Sequence, residues 1–238
     1  AQLRRAAHQQ HLAQQGVVEI TLLGQNVNSY RHEGSYFAKL IAALADTPGI
    51  DRVRFTSPHP KDFPLALIDA IATHPKICKH IHLPLQAGSD RILELMGRTY
   101  TGAEYLALVD RIRSRIPDIV LTTDIICGFC SESEEDFQAT HRIIEQTQLD
   151  SAYIFKYSER KHTIAARKYA DDVPDRVKGM RVAQLLETQR RITLERNRRY
   201  IGKAMQVLVE RDATRSSTQA MGKTDGNITV VWEKGTGD

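Results

Sequence analysis

The chain has 238 residues, 41% of them hydrophobic and 26% charged, the balance of an ordinary globular protein. No run reaches the roughly 18 apolar residues that would span a bilayer, and the opening residues carry no apolar stretch of a secretory leader. A net charge of +4 and an isoelectric point near 9.0 leave room for an anionic partner without requiring one.

The first segment holds Leu3, Ala6, Ala7 and Leu12 at helical spacing, and the first residue is Ala1 rather than Met. We therefore expect a chain that begins inside a helix and is incomplete. Five apolar stretches then read as strands, over 17–23, 52–56, 80–85, 119–126 and 151–157. Helical patterns lie between them, over 36–44, 63–71, 91–96 and 103–116. After the fourth strand, Ser133-Glu134-Glu135-Asp136 crowds acid into a first helical turn, where the helix dipole favours it. Strands alternating with helices predict a parallel α/β architecture, either an open doubly wound sheet or a full or partial barrel. Neither GxGxxG nor GxxxxGK[ST] occurs, so the usual phosphate-binding loops are missing.

Ligands of parallel α/β folds meet the carboxyl ends of the strands. Here those ends read Gly24-Gln25-Asn26, Ser57-Pro58-His59-Pro60, Gln86-Ala87-Gly88-Ser89-Asp90, Cys127-Gly128-Phe129-Cys130 and Tyr157-Ser158. Turn residues are needed at any strand end. Five ends rich in amides, hydroxyls and aromatics also make a rim suited to a polar, uncharged ligand such as a nucleoside.

His80 and His82 share one face of a strand and, with His59, could hold a metal. They precede the strand's carboxyl end, which favours a hydrogen-bonding role. Cys127 and Cys130 form a C-x-x-C without a second ligand pair, so two small residues in a tight loop is the simpler reading. With Cys78, the chain has three cysteines, too few for a disulfide framework and in keeping with a reducing, cytoplasmic setting.

Asp171-Asp172-Val173-Pro174 opens a long helix through about Tyr200, with Val182, Leu185, Leu186, Gln189 and Ile192 on its inner stripe. Its far end carries Arg190, Arg191, Arg196, Arg198, Arg199 and then Lys203. A solvated basic helix end and a phosphate-binding surface both fit. Beyond Gly202, alternating Met205, Val207 and Val209, a polar run, and a second strand over 228–232 suggest the start of a small OB-like β-barrel, cut short at Asp238.

Several stretches together resemble the radical S-adenosylmethionine (SAM) methylthiotransferases: GVVEITLLGQNVNSY, RVRFTSPHPKDF, HIHLPLQAGSDRILELMGRTYT, LTTDIICGFCSESEEDF, SAYIFKYSER and DDVP. The tail VLVERDATRSSTQAMGKTDGNITVVW resembles that family's TRAM domain, an RNA-binding β-barrel. The resemblance implies a partial (β/α)6 radical SAM barrel missing its first strand over residues 1–200, and a truncated TRAM segment over 201–238. It implies a transferase that methylthiolates C2 of an isopentenyl-modified adenosine next to the anticodon. The cofactors would be SAM and two 4Fe-4S clusters, and the partner the anticodon stem-loop of tRNA, met by a monomer with no membrane attachment. A CxxxCxxC loop holds the SAM-binding cluster in this family, and no such spacing occurs here. The chain is therefore expected to be inactive alone.

By the same resemblance, Gln25 and Asn26 would meet the SAM amino group, Gln86, Ser89 and Arg91 the ribose and carboxylate, and Ile126, Gly128 and Tyr157 the adenine. Arg190, Arg196, Arg198, Arg199 and Lys203 would meet RNA. Two departures stand out: Gly128-Phe-Cys-Ser-Glu132 where the family often has GFPGE, and Arg160-Lys-His-Thr163 where it often has RPGT. The alternatives are an RNA-binding module without catalysis and a metal-dependent barrel hydrolase using His59, His80 and His82.

Overall fold

The computed structural model describes residues 11–32, 34–56, 58–214 and 216–235. The expected helical residues Leu3, Ala6 and Ala7, the strand-end Ser57 and the terminal Asp238 lie outside them. Five parallel strands run through the first part: β1 (Glu19–Leu22), β4 (Arg52–Phe55), β5 (His80–His82), β6 (Val120–Cys127) and β7 (Ser151–Lys156). A two-residue hairpin, β2 (Arg31–His32) and β3 (Ser35–Tyr36), interrupts the first crossover. β1 pairs with β4, β5 with β6, and β6 with β7, all in parallel. An isolated bridge between Val53 and Ile77 joins the two groups, with Cys78 N–H donating to Val53 O at 3.0 Å.

The helices between are α1 (Phe37–Ala45), α2 (Leu65–Thr73), α3 (Asp90–Leu95), α4 (Gly102–Arg115) and α5 (Glu134–Thr147). A short α6 (Ile164–Lys168) and the long α7 (Asp175–Asn197) follow β7. Local chemistry sets their starts. Thr101 with Glu104, and Ser133 with Asp136, each form a capping box, so the acidic run after Ser133 works as expected. One core cluster, including Ile41, Phe55, Ile81 and Tyr105, lies under α1 to α4. A second joins Ile125, Cys127, Phe137 and Ile144 to Leu185 and Ile192 of α7. Alternate residues of β6 thus face the helices, which turns Thr122, Asp124 and Ile126 to the concave side.

Past α7 the chain forms an antiparallel sheet of β8 (Val207–Ala213), β9 (Ser216–Thr224) and β10 (Thr229–Glu233), with β9 in the middle. Two strands are legible in the sequence and β9 is not. Its run STQAMGKT lacks apolar alternation and is fixed by pairing on both edges. This sheet docks against the amino ends of β1 and β4. Arg54 donates to Asp225 O at 2.6 Å and Thr224 O at 2.7 Å, and Arg52 to Lys223 O at 2.7 Å. Arg54 Nε also pairs with Glu19 at 2.9 Å. The docked sheet therefore leaves the carboxyl ends of the strands clear.

Candidate functional site

The carboxyl ends of β6 and β7 wall a cleft of about 450 Å³, lined by Gln86, Asp124, Ile126, Phe155, Tyr157 and Arg160 among others. Gln86 is positioned by backbone bonds: its N–H donates to Asp124 O at 2.8 Å, and its carbonyl accepts from Ile126 N at 2.9 Å. Its φ of 70° is a left-handed conformation that turns the chain sharply before α3. Tyr153 and Phe155, on the edge strand β7, are 55% and 51% exposed. Large rings left uncovered on a concave sheet face form a ready surface for a flat ligand.

Beneath this surface lies a polar chain. His82 Nε2 is 3.2 Å from Asp124 Oδ2, and His82 Nδ1 is 3.0 Å from Thr122 Oγ1. His80 Nε2 approaches the same hydroxyl at 3.1 Å. Burial, with Arg54, His82 and Lys223 nearby, pushes the His80 pKa down to about 3, so this ring stays neutral. His80 and His82 are thus tied into a hydrogen-bonded chain, and His59 lies apart, its Nδ1 accepting from Lys61 N at 3.2 Å. Among the described residues no group of three or more His, Cys, Asp or Glu is arranged to hold a metal.

Gln25 and Asn26 line a second cleft of about 580 Å³ beside Leu23 and Tyr30. Asn26 adopts a left-handed conformation (φ 54°), and both amides are exposed. Asn28, two residues on, is buried and clamps the neighbouring strand end: Nδ2 donates to His59 O at 2.9 Å and Asp62 O at 2.8 Å, and Oδ1 accepts from His59 N at 2.7 Å. One amide of this polar strand end thus serves the fold, while two face solvent.

Gln86, Ile126 and Tyr157 come together in the first cleft. Ser89, Arg91 and Gly128 are placed elsewhere. Ser89 caps α3 and donates to Asp136 Oδ1 at 2.5 Å, and Arg91 pairs with the same carboxylate. Burial raises the Asp136 pKa, but the Arg91 and Ser89 hydrogen bonds overcome it and hold the group well below the usual carboxylate range. Gly128 (φ 72°) faces Lys178 of α7, where a Cβ would lie within 3.2 Å of Lys178 Cβ. The family's small residue at this point is thus used for helix packing.

The basic end of α7 is divided in the same way. Arg196 and Arg199 both bind Asp150, at 3.1 and 2.7 Å, and Arg198 pairs with Glu195 at 2.7 Å. Arg190 and Lys203 are exposed. Sequence reasoning passed over Asp124, Tyr153 and Phe155. The available signal was a lone acid in an apolar parallel strand, IVLTTDII, followed by alternating aromatics.

The comparisons with known proteins agree with this geometry. The family model described as the radical SAM superfamily matches residues 1–144, more than half of the chain. The chain belongs to the radical SAM superfamily. Among curated proteins it is 49% identical over 225 residues to the tRNA-2-methylthio-N(6)-dimethylallyladenosine synthase of Chlorobium chlorochromatii, covering 94% of this chain and 50% of that one. It is 51% identical to the synthase of that name from Acetivibrio thermocellus, covering 93% and 47%. This radical SAM chain thus spans about half the length of the curated relatives it matches. Among solved structures, the radical SAM enzyme coproporphyrinogen III oxidase of Escherichia coli aligns with a TM-score of 0.56 at 18% identity, over 81% of this chain and 45% of that one. The radical SAM methyltransferase TsrM of Kitasatospora setae aligns at 0.50 and 18%, over 62% and 29%. These two likenesses concern the fold.

For an adenosine such as that of SAM, Ile126 and Tyr157 would offer apolar surface and Gln86 a polar group. The cysteines do not fit an iron–sulfur cluster. Cys78, Cys127 and Cys130 are buried. Burial pushes the Cys78 and Cys127 thiols up to about 11 and 12, whereas cluster ligands are thiolates.

Proposed function

We propose that this chain is the SAM-binding and RNA-binding portion of a tRNA methylthiotransferase, acting at C2 of an N6-isopentenyladenosine beside the anticodon. The observation that carries the reading is near-half identity to synthases of that name over almost the whole chain. Residues up to about 200 are the core, a partial (β/α)6 barrel lacking its first strand. Residues from 201 on are an OB-like TRAM segment that meets tRNA. Bound SAM would supply the family's radical chemistry. Gln86, Ile126 and Tyr157 would seat its adenosine, and Gln25 and Asn26 would hydrogen-bond its amino end. No step is assigned to a cluster, because the cysteines present do not suit one.

The test is a fusion in which this chain replaces the matching half of the Chlorobium chlorochromatii synthase. The fusion should form 2-methylthio-N6-isopentenyladenosine in tRNA, read by nucleoside mass spectrometry. A fusion that binds SAM and its clusters but leaves isopentenyladenosine unchanged would overturn the reading. The chain alone, reconstituted with iron and sulfide, should show neither a four-iron absorption band nor SAM cleavage.

A further inference from the structure

The inner face of a parallel barrel is normally filled with branched apolar side chains. Here it carries a carboxylate, Asp124, whose side chain is 31% exposed. A charge in that position is costly unless partners hold it. The holding is visible. Taking Asp124 as a carboxylate, His82 must present Nε2–H to Oδ2 at 3.2 Å. Thr122 Oγ1 bridges His82 Nδ1 at 3.0 Å and His80 Nε2 at 3.1 Å, donating its one proton to one ring and accepting from the other. Every group is satisfied in either direction. Asp124 Oδ2 is therefore occupied, and Oδ1 makes no hydrogen bond among the described residues.

We propose that Asp124 is a substrate-binding residue for the modified base, its Oδ1 accepting the N6–H of an N6-alkylated adenine lying against Tyr153 and Phe155, the exposed rings beside it on β7. The inference rests on the methylthiotransferase reading and names a group that would hold its substrate base. A flat ring with one exocyclic N–H matches one free carboxylate oxygen beside exposed rings. An ammonium group matches poorly, because the cationic Lys156 and Arg160 already line the cleft. His82 acts through Asp124 as a positioning residue.

The test titrates the chain with N6-isopentenyladenosine, with its N6-methyl derivative, which has no N6–H, and with SAM. Binding is read by calorimetry and by the 15N shifts of His82 in histidine-labelled protein. The wild type should prefer the secondary amine about tenfold to a hundredfold, the worth of a hydrogen bond to a charged acceptor. Binding should also move the His82 resonances. In Asp124→Asn the carbonyl stays with His82 and the amide donors face the cleft, so the preference should vanish while the melting temperature and SAM affinity hold. His82→Gln, which can still donate to Oδ2, should retain part of the preference. Equal wild-type affinity for the two nucleosides, an equal loss of both in Asp124→Asn, or a selective loss of SAM would overturn the proposal and leave the methylthiotransferase reading standing. Binding of SAM with no binding of either nucleoside would overturn both.

Discussion

Gly128→Ala offers a sharp check on how this rim is built. The residue has φ 72°, a conformation that costs an alanine about 1–2 kcal/mol. Its new Cβ would also collide with Lys178 Cγ and lie only 3.0 Å from Cδ and 3.2 Å from Cβ. Lys178 cannot swing aside easily. It is buried, its Nζ pairs with Asp171, and the same nitrogen sits 5.1 Å from the centre of the Tyr157 ring. Overpacking of this kind costs about 1–3 kcal/mol. The total of about 2–5 kcal/mol should lower the melting temperature by roughly 5–15 °C for a chain of this size. Gly97 supplies the control, having φ 69° but open space around its missing side chain. Gly97→Ala should show the backbone cost alone. Thermal unfolding of the ligand-free chain, followed by circular dichroism, measures both. If collision is the cause, Lys178→Ala will cost less in the Gly128→Ala background than in the wild type. Equal melting temperatures for Gly97→Ala and Gly128→Ala would refute the packing account and return Gly128 to the ligand side of the rim.

Three further outcomes are expected. His80 has a folded pKa of about 3 against 6.5 for the free side chain, so the unfolded state takes up the proton first. Its contribution to stability is complete above about pH 6.5 and lost as the pH falls toward 3, and urea titrations of His80→Gln should lack that part of the slope. In the basic helix end, Arg190→Ala, Arg198→Ala and Lys203→Ala should each flatten the salt dependence of tRNA binding by about one unit with the melting temperature unchanged. Arg196→Ala with Arg199→Ala should instead destabilise the chain by about 3 kcal/mol, since Asp150, only 5% exposed, loses both cations. Native Cys78 and Cys127, with thiols pushed up to about 11 and 12, should resist iodoacetamide at pH 8 and react on unfolding.

The order of strands and helices was legible in the sequence because it rests on local periods and caps. The apolar runs over 17–23, 52–56, 80–85, 119–126 and 151–157 overlap β1 and β4 to β7, although β5 ends at His82, so His82 stands at the strand's carboxyl end and not ahead of it; Ser133 begins a helix as its acidic neighbours indicate. The motifs also carried the family. Tertiary structure alone decided what each polar rim residue does, because a side chain's task depends on what packs behind it. Ser89 and Arg91 are taken by Asp136, which α5 brings across from 47 and 45 residues away. Arg196 and Arg199 are taken by Asp150, and Gly128 by Lys178. Asn28 is absorbed into the fold by the loop at His59, while Gln25 and Asn26 stay free. The strand β9 exists because two neighbours pair with it, not because its own residues favour it. Asp124 was in plain view as an acid within an apolar strand. Only the pleat of β6, fixed by Ile125 and Cys127 packing under α7, turned it toward the cleft.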